Sequence, residues 1–171
     1  MANTTIWQSL QDTAFSTRIA ESEWMFPTIE TIHVFALVTV IGCIAIMDLR
    51  LLGLNSMNRT VQALERDTIP LTWKAFALAL VTGLLMFVSK AHTYMANPYF
   101  LWKMGLMLLA GINMAIFHRV VSKGVEDWGQ PGGKIPLAAK VSGLLSLALW
   151  LIIPLFGRIV GFTLGSYGYY Y

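Results

Sequence analysis

The chain has 171 residues, 56% of them hydrophobic and 12% charged, with a mean hydropathy of +0.62. A soluble domain carries about 25% charged residues, so this composition excludes a water-wrapped globular enzyme and a disordered tail. Twelve Lys and Arg against nine Asp and Glu leave a formal charge of +3, far from the basic stripe that tracks phosphates, which excludes nucleic acid as a partner.

Residues 1–26 lack a basic start and a continuous apolar run, so they do not read as a cleavable signal peptide. Thr5-x-x-Gln8 reads as a capping box, and Ile6, Trp7, Leu10 and Ala14 share one helical face. The expectation is an N-terminal amphipathic helix lying on the membrane surface.

Four apolar stretches follow, at about 27–54, 70–94, 99–121 and 136–162. Each reaches the roughly 20 residues that span a hydrocarbon core. Three open with proline, at Pro27, Pro70 and Pro136, where a missing N–H costs nothing in a first helical turn. The predicted architecture is all-α: an outer segment 1–26, one four-helix transmembrane bundle over 27–162, and a Tyr-rich tail over 163–171. The tight connection from Met95 to Pro98 predicts that the second and third helices form a hairpin of neighbours. The link from Asn55 to Ile69 reads as a polar connection, and Gly124 to Gly133 as a glycine-rich loop. Gly129-Gln130-Pro131-Gly132-Gly133-Lys134 fails as a phosphate loop, because Trp128 and Ile135 stand where Gly and Ser/Thr are needed.

Arg50, Arg59, Arg66, Lys74, Arg119, Lys123, Lys134 and Lys140 flank the first and third connections, leaving Arg18, Lys90, Lys103 and Arg158 on the other side. By the positive-inside rule the side with eight is cytoplasmic. The expectation is a multi-pass protein of the bacterial inner membrane with both termini in the periplasm. Trp7, Trp24, Tyr94, Tyr99, Trp102 and the tail tyrosines then form an outer aromatic belt. Arg50 is expected to snorkel to the inner headgroups. Trp73-Lys74 and Trp102-Lys103 read as interface anchors.

Membrane helices associate through small residues. Ala75, Ala79 and Gly83 offer such a stripe on the second span, Gly111 and Ala115 on the third, Ser142 and Ser146 on the fourth. Gly157, Gly161 and Gly165 extend the last toward a contact with another subunit or a second copy. Cys43 stands alone in mid-span as an apolar filler, and no haem-attachment motif is present.

Ionisable groups inside spans mark candidate sites. Glu30 and His33 share a face of the first span, and Asp48, eighteen residues past Glu30, returns to it after five turns. His92 ends the second span on the outer side, so His33 and His92 form a candidate pair of axial ligands for one b-type haem. In that reading Glu30 fixes the His33 tautomer and Arg158 offsets propionate charge. Copper held by His33, His92 and neighbouring methionines is the weaker alternative for the same pair. His118, near the cytoplasmic end of the third span, is about 20 Å in depth from the other two; it is a candidate contact for a quinone head, anionic headgroups or Asp48. Asn113 lies five residues before His118, about 140° round the helix, and is not expected to share its face.

Assembled, the pattern is Glu30-x-x-His33, Asp48-Leu49-Arg50-Leu51-Leu52-Gly53, Pro70-x-x-Trp73, Thr82-Gly83, Tyr94-x-x-Asn97-Pro98-x-Phe100-x-x-Lys103, Asn113 with Phe117-His118, and Trp150 before Gly157-Arg158-Ile159-Val160-Gly161-Phe162. It resembles an uncharacterised family of small four-helix bacterial inner-membrane proteins, and more loosely the cytochrome b561-like and copper-resistance D-like membrane domains. The first resemblance implies topology without an activity; the second implies haem, although those domains carry more histidines inside their spans. No nucleophile-base-orienter set is present, so an accessory or electron-transfer subunit is expected rather than an enzyme. Three readings stand open: a subunit that binds b-type haem or contacts quinone in periplasm-facing electron transfer, a cofactor-free scaffold within a larger complex, and a metal or small-solute carrier. The carrier requires that the protein oligomerise or that its bundle open.

Overall fold

The computed structural model describes residues 5–55 and 57–168; the tail tyrosines Tyr169, Tyr170 and Tyr171 lie outside the described residues. The protein is an all-α bundle, with no strand among the described residues. Four of its helices are long and apolar enough to cross a membrane, and only 17 to 22% of the most apolar window of each is buried inside the bundle. Much of the remainder, including Phe35, Leu108 and Phe162, is exposed, as lipid-facing side chains are in a multi-pass membrane protein.

Two short helices replace the single amphipathic helix expected at the start. In α1 (Ile6–Gln11) Thr5 Oγ1 accepts the Gln8 N–H, as the capping motif requires. The chain breaks at Asp12, and Thr13 caps α2 (Ala14–Glu21) in the same way. Ile19 is buried and Ser16 Oγ donates to the Val88 carbonyl, which docks α2 on the end of the second span.

The first span, α3 (Met25–Leu52), carries Pro27 in its first turn and ends on Gly53. Gly53 has φ +79°, and Leu54 N–H returns to Leu49 O, the backbone turn that only glycine enters without strain. The second span, α4 (Val61–Ser89), starts nine residues before Pro70. Thr60 caps it by accepting the Ala63 N–H, so residues 61–69 of the stretch read as a polar link are the first turns of the helix. Pro70 is then interior, and its missing N–H leaves the Arg66 carbonyl without its helical donor.

After a break at Lys90, α5 (Ala91–Ala96) makes one and a half turns before α6 (Pro98–Ile116). Asn97 is fully buried; its Oδ1 accepts the Tyr99 N–H and its Nδ2 donates to Thr163 Oγ1 of the last span. The third span ends in a π-helical turn, Phe117–Val121, closed by Ser122 N–H to Phe117 O. A single turn, α7 (Val125–Trp128), precedes the fourth span, α8 (Leu137–Gly168). Residues 163–168 thus continue a helix rather than belong to a tail.

Around the bundle α4 packs on α3, α3 on α8, and α8 on α6. The backbones of α4 and α6 do not meet, which corrects the expected hairpin. A short connection made neighbours the simplest outcome, but α5 and its two flanking breaks re-aim α6 toward α8. Where helices do touch, small residues sit between them. Ala75 and Ala79 are buried. A Cβ on Gly83 would stand 3.1 Å from the His33 ring, and one on Gly143 would stand 3.1 Å from Leu51 Cβ and 3.3 Å from Asp48 O. On α6 the buried small residue is Ala110, packed with Leu149 and Ile153, whereas the expected Gly111 faces open space.

Candidate functional site

Because α4 and α6 stand apart, a cavity of about 400 Å³ opens between them, with α3 and α8 as its back wall. Every helix contributes in the same order from one end to the other. The end nearest α7 is lined by Asp48 and Leu51 of α3, Glu65 and Thr68 of α4, Phe117 and His118 of the π turn, and Ser142 of α8. Deeper in lie Val40, Phe76, Met107 and Trp150. From Glu65 to Phe76, or from Met107 to His118, is eleven residues, a depth of about 16 Å along the helices. The cleft therefore has one polar end near the α7 side and an apolar shaft toward the bilayer centre. Farther along the bundle, outside the cleft's lining, Phe87 stacks on Phe100, centroids 5.7 Å apart, with Tyr94 packed beside both.

Within the polar end most groups already have partners. Asn113 Nδ2 donates to Ser142 O at 3.1 Å, and Ser142 Oγ donates back to Asn113 Oδ1 at 3.1 Å. The Thr68 and Thr72 hydroxyls are spent on the carbonyls of Leu64 and Thr68. Asp48 is only 5% exposed, with Ser146 beside its carboxyl, and its Oδ2 has no partner among the described residues. Glu65 on α4 is within electrostatic reach of His118 across the opening. Asn113 and His118 line the same cleft, contrary to the angular expectation. A regular α turn leads from Asn113 to Phe117, whose N–H returns to Asn113 O, and His118 follows at the start of the π turn; such turns recur at functional sites. Glu65 escaped sequence reasoning because it sat in the apparent link; a Thr60 cap ahead of Val61 was the available signal.

The predicted outer site is distributed differently. His33 Nδ1 lies 2.9 Å from Thr82 Oγ1, whose own proton goes to Leu78 O at 2.7 Å. Nδ1 must therefore carry the imidazole proton and donate, which leaves Nε2 its lone pair. Thr82, rather than the exposed Glu30, meets the Nδ1 of His33. His92 sits on α5, its backbone N–H donating to Gln11 Oε1. His33 is wedged at the α3–α4 contact against Gly83, and neither His33 nor His92 lines the cleft. Arg158 is exposed, its guanidinium 4.6 Å from the Phe162 ring centre. No group of three His, Cys, Asp or Glu among the described residues is placed to hold a metal ion.

Arg50 departs from its expected place: it is fully buried rather than snorkelled. Its Nε donates to Arg59 O at 3.0 Å, and its Nη2 donates to Gly129 O at 3.1 Å and Gln130 O at 3.3 Å. Gly129 O also accepts the Val61 N–H, so the glycine loop is a clamp across the ends of α3 and α4. Lys103 is half-buried; its chain end lies beside Gly157 and within electrostatic reach of His33.

Tyr94, expected in the aromatic belt, is instead buried on α5. Burial pushes its phenol up to about 12, with the charge of Glu30 adding to the effect. No protein-family model, curated protein or solved structure matches the chain.

Proposed function

We propose that the protein is a small bacterial inner-membrane subunit that holds a quinone-class molecule in the α4–α6 cleft, in support of electron transfer by a larger membrane assembly. The observation that carries this reading is the cleft itself: an open slot, polar at one end and apolar along its shaft, the form that suits an amphiphile with a compact head and a long tail. The eight basic residues that flank the two connections support a cytoplasmic α7 side, which moves the proposed contact away from the periplasmic side expected for the histidine pair. A lone pair on His33 Nε2 keeps haem as the competing reading, but the cleft offers room and the α3–α4 contact at Gly83 does not.

Protein purified in mild detergent is extracted with organic solvent, and quinone is quantified against co-extracted phospholipid. About one quinone per chain, enriched over the bulk membrane ratio, is expected. Quinone at the membrane ratio or below, in protein that retains its lipid, overturns the reading. An absorption spectrum of the same sample, oxidised and reduced, tests haem directly through its reduced α-band.

A further inference from the structure

We infer that the cleft selects the reduced, dihydroxy form of its quinone-class ligand, with Asp48 Oδ2 accepting a hydrogen bond from a quinol hydroxyl. This rests on the cleft being the quinone site proposed above. Asp48 is 95% removed from solvent contact, lines the cleft, and has an oxygen with no donor. An unpartnered buried acceptor in an apolar site carries a standing penalty that a donor relieves. The other polar groups nearby are mostly committed elsewhere: Ser142 donates to Asn113 Oδ1, Asn113 Nδ2 gives one of its two protons to Ser142 O, and Thr68 and Thr72 spend their protons on their own helix.

The capacity left at the polar end belongs to Asp48 from α3, Glu65 from α4 and His118 from the π turn, with Ser146 of α8 already beside Asp48. Two of those three are carboxyl groups. A quinone presents only carbonyl acceptors, which leave the Oδ2 of an ionised Asp48 unpaired, whereas a quinol presents hydroxyl donors. Selection against an analogue that lacks the donor is strong when the site's own group is buried. A lipophilic ammonium also donates. The competition titration below separates it from the quinol.

The full chain is reconstituted in lipid nanodiscs and titrated with a decyl-substituted benzoquinone and, separately, its quinol under reducing conditions, with quenching of tryptophan fluorescence as the readout. Wild-type protein is expected to bind the quinol about tenfold more tightly than the quinone. In Asp48→Asn, which presents an N–H donor in place of one oxygen, the ratio of the two dissociation constants is expected to fall to about one. Equal affinities in wild type, or an unchanged preference in a folded Asp48→Asn, overturn this inference while the quinone site stands. Absence of saturable binding by either form overturns the site reading itself. Displacement of the quinol by decylammonium at lower concentration than by quinone assigns the cleft to a cation and overturns the quinol assignment; the wild-type ratio alone decides the matter if Asp48→Asn does not fold.

Discussion

Replacing Arg50 with methionine removes the group that ties three segments together on the α7 side. Its guanidinium bonds to Arg59 O, Gly129 O and Gln130 O with no solvent exposure. Hydrogen bonds to a charged group are each worth about 1.5–3 kcal/mol. Gly129 and Gln130 share one nitrogen, so the three contacts count as about two. Removing the cation also returns its desolvation cost, which is substantial because Nη1 has no partner. The net loss is about 2–4 kcal/mol, and at roughly 2–4 °C per kcal/mol for a chain of this size the melting temperature falls by about 5–15 °C. Far-UV circular dichroism in detergent measures it. Arg59→Met is the control, because Arg59 and Asp67 form an ion pair with side chains 46% and 51% exposed, worth less than about 1 kcal/mol. Arg50→Lys keeps the charge but not the fork, and is expected to melt between wild type and Arg50→Met. An Arg50→Met melt indistinguishable from Arg59→Met refutes the clamp.

Gly143→Val places a Cβ against Leu51 and the Asp48 carbonyl and is expected to destabilise the α3–α8 contact by about 1–3 kcal/mol, whereas Gly161→Ala, with nothing within 4 Å, leaves the melt unchanged. Thr82→Val removes the acceptor of the His33 Nδ1–H, and the imidazole nitrogen resonances of His33 are expected to lose the single Nδ1–H tautomer in NMR spectra of labelled protein. In an ultraviolet alkaline titration Tyr94 is expected to ionise last, near 12 rather than at the ordinary value of about 10, and Tyr94→Phe abolishes that step. The fold holds the phenol neutral, so this contribution to stability is complete below pH 10 and is lost as the pH rises through 12.

The spans were legible because lipid imposes a length and an apolar composition that no other constraint blurs, and Thr5 announced α1 because a cap acts within three residues. The Ala75, Ala79 and Gly83 stripe was equally local: its spacing on one helix decides its face. What required the structure was set between helices. Pro70 stood at a plausible helix start, and only the Thr60 cap with α3 packing kept the helix continuous through it. The gap between α4 and α6 depends on how α5 redirects the chain, which no periodicity encodes. Gly111 and Ala110 are both small neighbours in sequence, and which one meets α8 depends on the rotation of α6 as a whole. Arg50 looked like an interfacial cation because its three partners are backbone carbonyls, which every sequence has and none advertises. Asp48 was singled out from its position on α3, but its role as an unpartnered oxygen in a cleft needed the other three helices.

The cleft is tested most directly by plugging it. Gly111 lines it, and a Cβ added there meets nothing within 4 Å, so Gly111→Trp starts a bulky side chain from open space on the cleft wall. Quinol titrations of wild type and Gly111→Trp in nanodiscs, with thermal melts of both, are expected to show saturable binding near one per chain in wild type and its loss in a variant that melts as wild type does. Binding that persists undiminished in a folded Gly111→Trp would contradict the account.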